Sequence, residues 1–211
     1  MQKSLQLLTA IFLSGGLFAL SLIANFYASV YATESASNSV TDLILSNIPV
    51  FDVELLLVAG TLVVIAVFLG VCLYRPVRIP FILYTLATFY FVRSIFVSLT
   101  HLGPFPTRIP LDAAEFVTKL FGGADLFFSG HVGVSFLLAL LFWHEEKLRY
   151  FFLAASVFFG VIVLMGHLHY SIDVAAAFFI AYAIYELARH FFREAYQWMA
   201  ADFADSASVV K

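Results

Sequence analysis

Two histidines and an aspartate stand beside long apolar stretches of this chain. His131 follows Ser129 and Gly130 at the start of one stretch, and His169 opens a His-Tyr-Ser-Ile-Asp segment that ends at Asp173 before another. Ionisable side chains are unfavourable at such places, which favours a functional role. Two imidazoles and a carboxylate suit phosphoryl chemistry: one ring attacks phosphorus, the other moves the proton, and the carboxylate orients the attacking ring.

The spacing assigns a role to each of these groups. His169 and Asp173 are four residues apart, which places two side chains on one face of a helix. Asp173 would hold one ring nitrogen and leave the other to attack, so His169 is the candidate nucleophile. His131 is the candidate general acid, and Ser129 suits a helix N-cap or a phosphate donor. The structural alternative is an ion pair between His169 and Asp173 that joins two helices.

Arg93 is a basic residue deep within a predicted span, where a cation requires an anion. A substrate phosphate is the functional candidate, and Asp125, Asp173 or a carbonyl group are the structural alternatives. At Gly130 the backbone can approach a ligand closely because no side chain intervenes. The remaining histidines at span ends, His101, His144 and His190, receive no role.

The composition is that of an integral membrane protein. The 211 residues are 63% hydrophobic and 12% charged, whereas soluble domains are about half apolar and roughly 25% charged. A bilayer crossing takes about 20 apolar residues, and six stretches qualify: 7–27, 53–73, 79–99, 124–143, 150–168 and 170–192. We predict an all-α fold, a bundle of six transmembrane helices in one domain over residues 1–211, with a short flexible C-terminal tail from about residue 194.

The distribution of charge predicts the orientation and the location. A cytoplasmic N-terminus places eight of the eleven basic residues inside, as the positive-inside rule favours. The alternative, a cleaved signal peptide, is disfavoured by the length of the first apolar run. We therefore expect a multi-pass protein of the bacterial inner membrane with both histidine motifs facing outward. The first outer loop, residues 32–52, can fold over that site.

A metal site has the right ligand types in His131, His167, His169 and Asp173. On a helix, however, residues two apart point to nearly opposite faces, so His167 and His169 would converge only if the backbone were irregular. We expect neither a metal nor another cofactor. The net charge of −3 and the lack of a basic run argue against nucleic acid and favour membrane lipids as partners. The sequence leaves a homo-oligomer open.

The two histidine segments resemble motifs of the sphingomyelin synthase family, a branch of the type 2 phosphatidate phosphatase superfamily. Residues 123–132 read Gly-Ala-Asp-x3-Ser-Gly-His-Val and resemble its Cys-Gly-Asp-x3-Ser-Gly-His-Thr motif. Residues 169–174 resemble its His-Tyr-Thr-x-Asp-Val motif, and Arg93 with Thr100 and Leu102 resembles an Arg…Thr-x-Leu-Pro segment. The departures at Gly123 and Val132 leave the head group and acceptor open.

This resemblance implies a His-His-Asp triad that transfers phosphocholine or a related head group from a glycerophospholipid to ceramide or diacylglycerol. His169 would form the phospho-histidine, His131 would move the protons, and Asp173 would hold His169. We assign substrate binding to Arg93, Asp125, Ser129, Gly130 and Tyr170. The alternatives are a lipid phosphatase or phospholipase C-type hydrolase that releases diacylglycerol, and a non-enzymatic lipid transporter or binding protein.

The signatures of the ordinary lipid phosphatases, Lys-x6-Arg-Pro and Ser-Arg-x5-His, are incomplete here. Phe68 stands seven residues before Arg75-Pro76, where the lysine would be, and Ile162 and Val163 occupy the places of Ser-Arg before His169. A terminal phosphomonoester carries nearly two charges and a phosphodiester carries one. The loss of two cations therefore favours a diester substrate.

Overall fold

The computed structural model describes residues 2–109 and 127–209, and the regular elements in these residues are helices joined by loops. These residues contain no strand, which confirms the predicted all-α class. A 3-10 helix spans Pro76–Arg78. The α-helices are α1 (Gln2–Glu34), α2 (Glu54–Tyr74), α3 (Ile79–Leu99), α4 (Gly130–Leu141), α5 (Glu146–Met165), α6 (Ser171–Phe191) and α7 (Arg193–Val209).

Five of these helices, α1, α2, α3, α5 and α6, are long and apolar enough to cross a membrane. They support a multi-pass integral membrane protein. The predicted fourth span, 124–143, is helical only from Gly130 in its described part. With 12 residues, α4 is about 18 Å long, well short of the roughly 30 Å of a hydrocarbon core. The prediction of six spans is therefore not confirmed.

Helix α3 is the most buried of the spanning helices. Phe81, Ile82 and Phe89 on this helix are fully buried in the main apolar core. Helix α4 packs closely against it, because a Cβ atom added at Gly133 would lie 2.8 Å from the Phe89 ring. Glycine at this position lets α4 approach α3 in the way that small residues bring membrane helices together.

The helix ends that carry the two histidine motifs lie together. The Ser129 N–H, just before α4, donates a hydrogen bond to the Asp173 carbonyl oxygen in the first turn of α6 at 3.3 Å. The Phe51 N–H donates to the carbonyl oxygen of Met165, the last residue of α5. We call this end of the bundle, with the N-termini of α4 and α6, the site end. The segment between α1 and α2, residues 35–53, is the first loop.

At the opposite end, a buried arginine joins three parts of the chain. Arg78 is 1% exposed and binds Glu145, which precedes α5, and Asp202 of α7. Its guanidinium also lies 4.1 Å from the centre of the Phe203 ring. The segment after Phe192, expected as a flexible tail from about residue 194, is thus helical as α7. It packs because its apolar residues recur at helical spacing, with Ala195 and Met199 buried.

Candidate active site

The centre of the candidate site is the pair formed by His169 and Asp173. The His169 Nδ1 atom lies 3.6 Å from the Asp173 Oδ2 atom, within ion-pair range and beyond an ordinary hydrogen bond. His169 is 9% exposed and Asp173 is fully buried. The predicted proximity is present, but it does not come from helical stacking, because His169 lies before α6 begins at Ser171.

The chain reversal between α5 and α6 places His169 beside that helix. His167 has a φ of 52°, a left-handed conformation that is rare for residues other than glycine. A Cβ atom at Gly166 would lie 2.5 Å from the Val53 side chain, so the end of the first loop, just before α2, packs directly against the turn. His167 is buried, and its Nδ1 atom is hydrogen-bonded to the Thr107 hydroxyl. Because the backbone is irregular at this turn, the His167 side chain contacts Thr107, whereas the His169 side chain lies beside Asp173.

Asp173 is fixed by the start of its own helix. Its Oδ2 atom accepts a hydrogen bond from the Tyr170 N–H at 2.9 Å, and a carboxylate in the first turn is stabilised by the helix dipole. The other oxygen, Oδ1, is buried and has no hydrogen-bond partner in the described part of the chain. The hydrogen bond to Oδ2 therefore holds the carboxylate next to His169. The Oδ1 atom is left without a hydrogen-bond partner among the described residues.

The second histidine motif begins α4. Ser129 occupies the predicted N-cap position, but its side chain makes no capping hydrogen bond. Its Oγ atom is buried without a hydrogen-bond partner among the described residues. His131 follows in the first turn, with its ring centre 5.3 Å from that of Phe159 on α5. The structure thus brings both histidine motifs to the site end of the bundle.

Arg93 connects α3 to the start of α4. It is 1% exposed, and its Nε atom donates to the Phe128 carbonyl oxygen at 3.2 Å. Its Nη1 atom donates to the Asn25 Oδ1 atom on α1, also at 3.2 Å. Gly130 lies against the guanidinium, because a Cβ atom there would lie 3.6 Å from Nε. The predicted intramembrane cation is therefore held beside the Ser129-Gly130 backbone.

The remaining predicted binding residues have different positions. Tyr170 is buried, and its hydroxyl donates to the Gly103 carbonyl oxygen at 2.8 Å and accepts from the Val40 N–H at 3.2 Å. These two bonds attach the loops to α6. Asp125 lies outside the described residues. Within residues 2–109 and 127–209, no three His, Cys, Asp or Glu side chains form a group suited to a metal ion.

Asp42 in the first loop is a site-end residue that sequence reasoning missed. Its Oδ2 atom accepts from the Ser171 N–H at 2.7 Å and the Ser171 hydroxyl at 2.8 Å. Its Oδ1 atom accepts from the N–H groups of Ile44 and Leu45. Burial raises the pKa of the Asp42 carboxyl, but the hydrogen bonds from Leu45, Ser171 and Ile44 lower it, and the net pKa lies below its ordinary value.

Asn25 is the other residue that sequence reasoning missed. A local signal existed, because Ser21, Asn25 and Ser29 recur every four residues within the apolar stretch 15–32. This spacing puts polar groups on one face. All three are buried, on a helix that packs against α3. For Asp42 no such signal exists, since its partner Ser171 is 129 residues away.

Comparison with known protein families places the two motifs in one matched segment. Residues 122–191 match the model of the PAP2 superfamily C-terminal domain. The match covers about a third of the chain and includes His131, His169 and Asp173. It supports the type 2 phosphatidate phosphatase superfamily, and more generally a lipid enzyme of the phosphatase or phosphotransferase type. Searches of curated proteins and of solved structures give no match.

Proposed function

We propose that this chain is a phospholipid head-group transferase of the sphingomyelin synthase type. It would move a phosphocholine or phosphoethanolamine-type group from a glycerophospholipid to ceramide or another lipid alcohol. The observation that carries the proposal is the buried His169–Asp173 pair, held at 3.6 Å beside the N-terminus of α4. The resemblance of the two histidine motifs to that family supports transfer as the reaction type.

The first step forms a phospho-histidine. The Nδ1 atom of His169 faces Asp173, so the Nε2 atom is the ring nitrogen that attacks phosphorus. The bond from phosphorus to the diacylglycerol oxygen breaks, and His131 gives that oxygen a proton. Asp173 stabilises the positive charge that develops on His169. Arg93 neutralises charge on the phosphoryl oxygens.

The second step returns the enzyme to its starting state. His131, now unprotonated, takes the proton of the acceptor hydroxyl, and the resulting oxygen attacks phosphorus. The phosphorus–nitrogen bond breaks and His169 is released. A lipid alcohol gives a new phosphodiester, whereas water gives a free head-group phosphate. Exclusion of water from the site therefore decides between transfer and hydrolysis.

The distribution of cations supports a diester as the donor. Arg75, which belongs to the partial phosphatase signature, lies at the opposite end of the bundle with Arg78, and both pair with Asp202. Ile162 and Val163 are buried in the apolar core. Two arginines, Arg78 and Arg93, are almost fully buried in the described part of the chain. Of these two, only Arg93 lies at the site end. One buried cation suits the single charge of a diester.

The proposal is tested with purified protein and labelled phosphatidylcholine or phosphatidylethanolamine, with and without ceramide and diacylglycerol. We expect a new phospholipid that forms only when an acceptor is present. Release of the head group or of phosphate at the same rate without acceptor would instead establish the hydrolase alternative. Transport or binding of lipid without turnover would exclude both enzymes.

A substitution of the proposed nucleophile checks the mechanism. His169→Ala should abolish turnover and the phosphorylated protein intermediate, detected by mass spectrometry after an alkaline quench. His190→Ala is the matched control, because His190 lies in the last turn of α6 at the opposite end. Unchanged turnover by His169→Ala would contradict the proposed role of His169.

A further inference from the structure

A crevice of about 380 Å³ lies between the end of α2 and the start of α5, at the end of the bundle opposite the histidine motifs. This volume falls within the roughly 300–1,000 Å³ that is usual for ligand sites. Helix α2 contributes residues at helical spacing from one face of its last turns: Val67, Gly70, Val71 and Tyr74. The other lining residues are Arg75, Arg78, Glu145 and Leu148. The crevice therefore has an apolar wall and a charged rim.

The crevice exists because α2 and α5 diverge along their length. In its first half, α2 packs tightly on α5: a Cβ atom added at Gly60 would lie 2.9 Å from the Phe158 ring and 3.2 Å from the Phe159 ring. Further along, a Cβ atom at Gly70 would meet no atom of the other described segments within 4 Å. The crevice thus opens at the end of α2, which is long and apolar enough to span a membrane. The ends of such helices lie at the level of the lipid head groups.

The rim carries charges of both signs. Arg75 pairs through Nη1 with Asp202 at 3.4 Å, and its side chain is 35% exposed. Glu145 binds Arg78 through Oε1, and its side chain is 34% exposed. Since Arg78 also binds Asp202, these four paired groups carry two positive and two negative charges. A ligand with one charge of each sign keeps this balance, whereas an anion adds a negative charge that the rim does not offset.

The head group of a phospholipid fits these charges, and ethanolamine fits them better than choline. A guanidinium has a planar fork of donors that suits a phosphodiester, and Arg75 is the more exposed of the two lining arginines. The Glu145 carboxylate suits an ammonium group that donates hydrogen bonds. Choline has no N–H group and is bound by aromatic rings. The aromatic lining residue, Tyr74, already lies against the Arg75 guanidinium at 5.0 Å.

We propose that this crevice binds a phosphatidylethanolamine-type lipid from the surrounding bilayer, with Arg75 on the phosphate and Glu145 on the ammonium group. The first methylene groups of the acyl chains lie against Val67, Val71 and Leu148, and the rest of the chains stay in the bilayer. None of the eight lining residues is a histidine, so the crevice holds the lipid without the proposed phosphoryl chemistry. A lipid bound there joins α2 to α5 where the two helices diverge.

Native mass spectrometry of the full chain in detergent tests the choice of ligand. Phosphatidylethanolamine is compared with phosphatidylcholine and phosphatidylglycerol of equal chain length, and with free phosphoethanolamine. We expect phosphatidylethanolamine to bind most tightly, and phosphoethanolamine to bind about 10-fold more weakly or worse because it cannot use the apolar wall. Tighter binding of phosphatidylglycerol would overturn the proposal in favour of an anionic lipid. Equal binding of phosphoethanolamine would overturn it in favour of a free head group.

The variant Gly70→Leu fills the crevice without changing any charge. The new Cβ atom has open space, and leucine favours a helix more than glycine, so the variant should fold. We expect it to lose one bound phosphatidylethanolamine molecule. Gly16→Leu on α1 is the matched control, because a Cβ atom there also has open space and Gly16 does not line the crevice.

Two results of this comparison would overturn the proposal. Equal lipid binding by Gly70→Leu and Gly16→Leu would show that the lipid binds elsewhere, for example as a donor at the proposed active site. A changed mass of the protein–detergent complex in Gly70→Leu, with lipid binding retained, would show that the crevice is an interface between copies of the chain. Both measurements detect binding and not turnover, so their outcome is independent of the proposed transferase activity.

Two substitutions at the rim test which group binds which charge. Arg75→Gln should weaken the binding of phosphatidylethanolamine and phosphatidylcholine alike, about 10- to 100-fold, because both present a phosphate. Glu145→Gln should weaken only phosphatidylethanolamine, because choline donates no hydrogen bond to it. Glu145 also binds Arg78, so the measurement is the ratio of the two affinities, which a general loss of stability does not change. An unchanged ratio in Glu145→Gln would overturn the assignment of the ammonium group.

Discussion

At the scale of single residues, the proposed chemistry depends on how Asp173 is held. One of its oxygens faces His169 and accepts from the Tyr170 N–H, while the other has no partner in the described chain. The buried carboxylate can therefore orient the ring and stabilise the imidazolium form, as an orienting carboxylate does in a catalytic triad. This assignment would make the pair a functional group rather than only a link between helices.

The substitution Asp173→Asn tests that assignment. The amide keeps the size of the side chain and can still accept from Tyr170, but it no longer stabilises a positive charge on His169. We expect the turnover rate to fall by up to about 10⁴-fold, with the unfolding temperature changed only slightly. A large fall in unfolding temperature with a normal turnover rate would instead indicate the structural ion pair. Turnover and thermal unfolding are measured on the same preparation.

At the scale of helices and loops, α6 is capped by a residue far away in sequence. Its first N–H, at Ser171, donates to Asp42 in the first loop, and Tyr170 binds the backbone at Val40 and Gly103. Helix N-termini require such acceptors because their first N–H groups have no intrahelical partner. The loop expected to fold over the site therefore also fixes the helix turn that carries Asp173.

The variant Asp42→Ala removes this cap. We expect a destabilisation of about 0.5–2 kcal/mol and a slower turnover, because the first turn of α6 can fray and shift Asp173. Asp52→Ala is the matched control: Asp52 is an exposed residue of the same loop that accepts a local bond from the Glu54 N–H. Equal unfolding temperatures and rates for the two variants would contradict the capping role.

The same cap predicts a pH dependence. The pKa of Asp42 is lowered from its ordinary value of 3.8, so its contribution to stability is fully present above that value and is lost as the pH falls through the lower folded pKa. We expect the Ser171 amide to remain protected from hydrogen exchange, after correction for intrinsic exchange rates, from neutral pH down to pH 3.8. Loss of protection well above that value would show that another group controls the loop.

At the scale of the whole molecule, the two ends of the bundle hold different sets of polar groups. The site end holds both histidine motifs, whereas the opposite end is joined by Arg78 through Glu145 and Asp202. Arg78 is almost fully buried, so its charge needs both carboxylates to offset the loss of water. We infer that this network stabilises the packing of α7 and takes no part in the chemistry.

Replacement of the central arginine tests this division. Arg78→Gln should lower the free energy of unfolding by about 1.5–3 kcal/mol, with turnover per folded molecule unchanged. Arg75→Gln is the control, because its pair with Asp202 is longer, at 3.4 Å, and its side chain is 35% exposed. Such partly exposed pairs contribute about 0–1 kcal/mol. The inference fails if both variants unfold alike or if Arg78→Gln is folded but inactive.

The sequence determined the features that depend on local composition. Long apolar runs require helices in a membrane because backbone groups there must be paired within the segment, and the structure confirms the all-α class. The positions of Ser129 at a helix start and of Arg93 within a span also follow from local residues. The family match, residues 122–191, spans both histidine motifs.

Only the tertiary structure decided which distant groups meet at the site. The turn at His167 places His169, which lies just before α6, beside Asp173. Asp42 caps α6 from a position 129 residues away in the sequence. Asn25 accepts a hydrogen bond from Arg93, which is 68 residues away. The predicted fourth span is not confirmed, because an apolar run shows what can be buried but not where the helix begins. Local periodicity does not show which distant polar residues pair, since each contact depends on the packing of several helices at once.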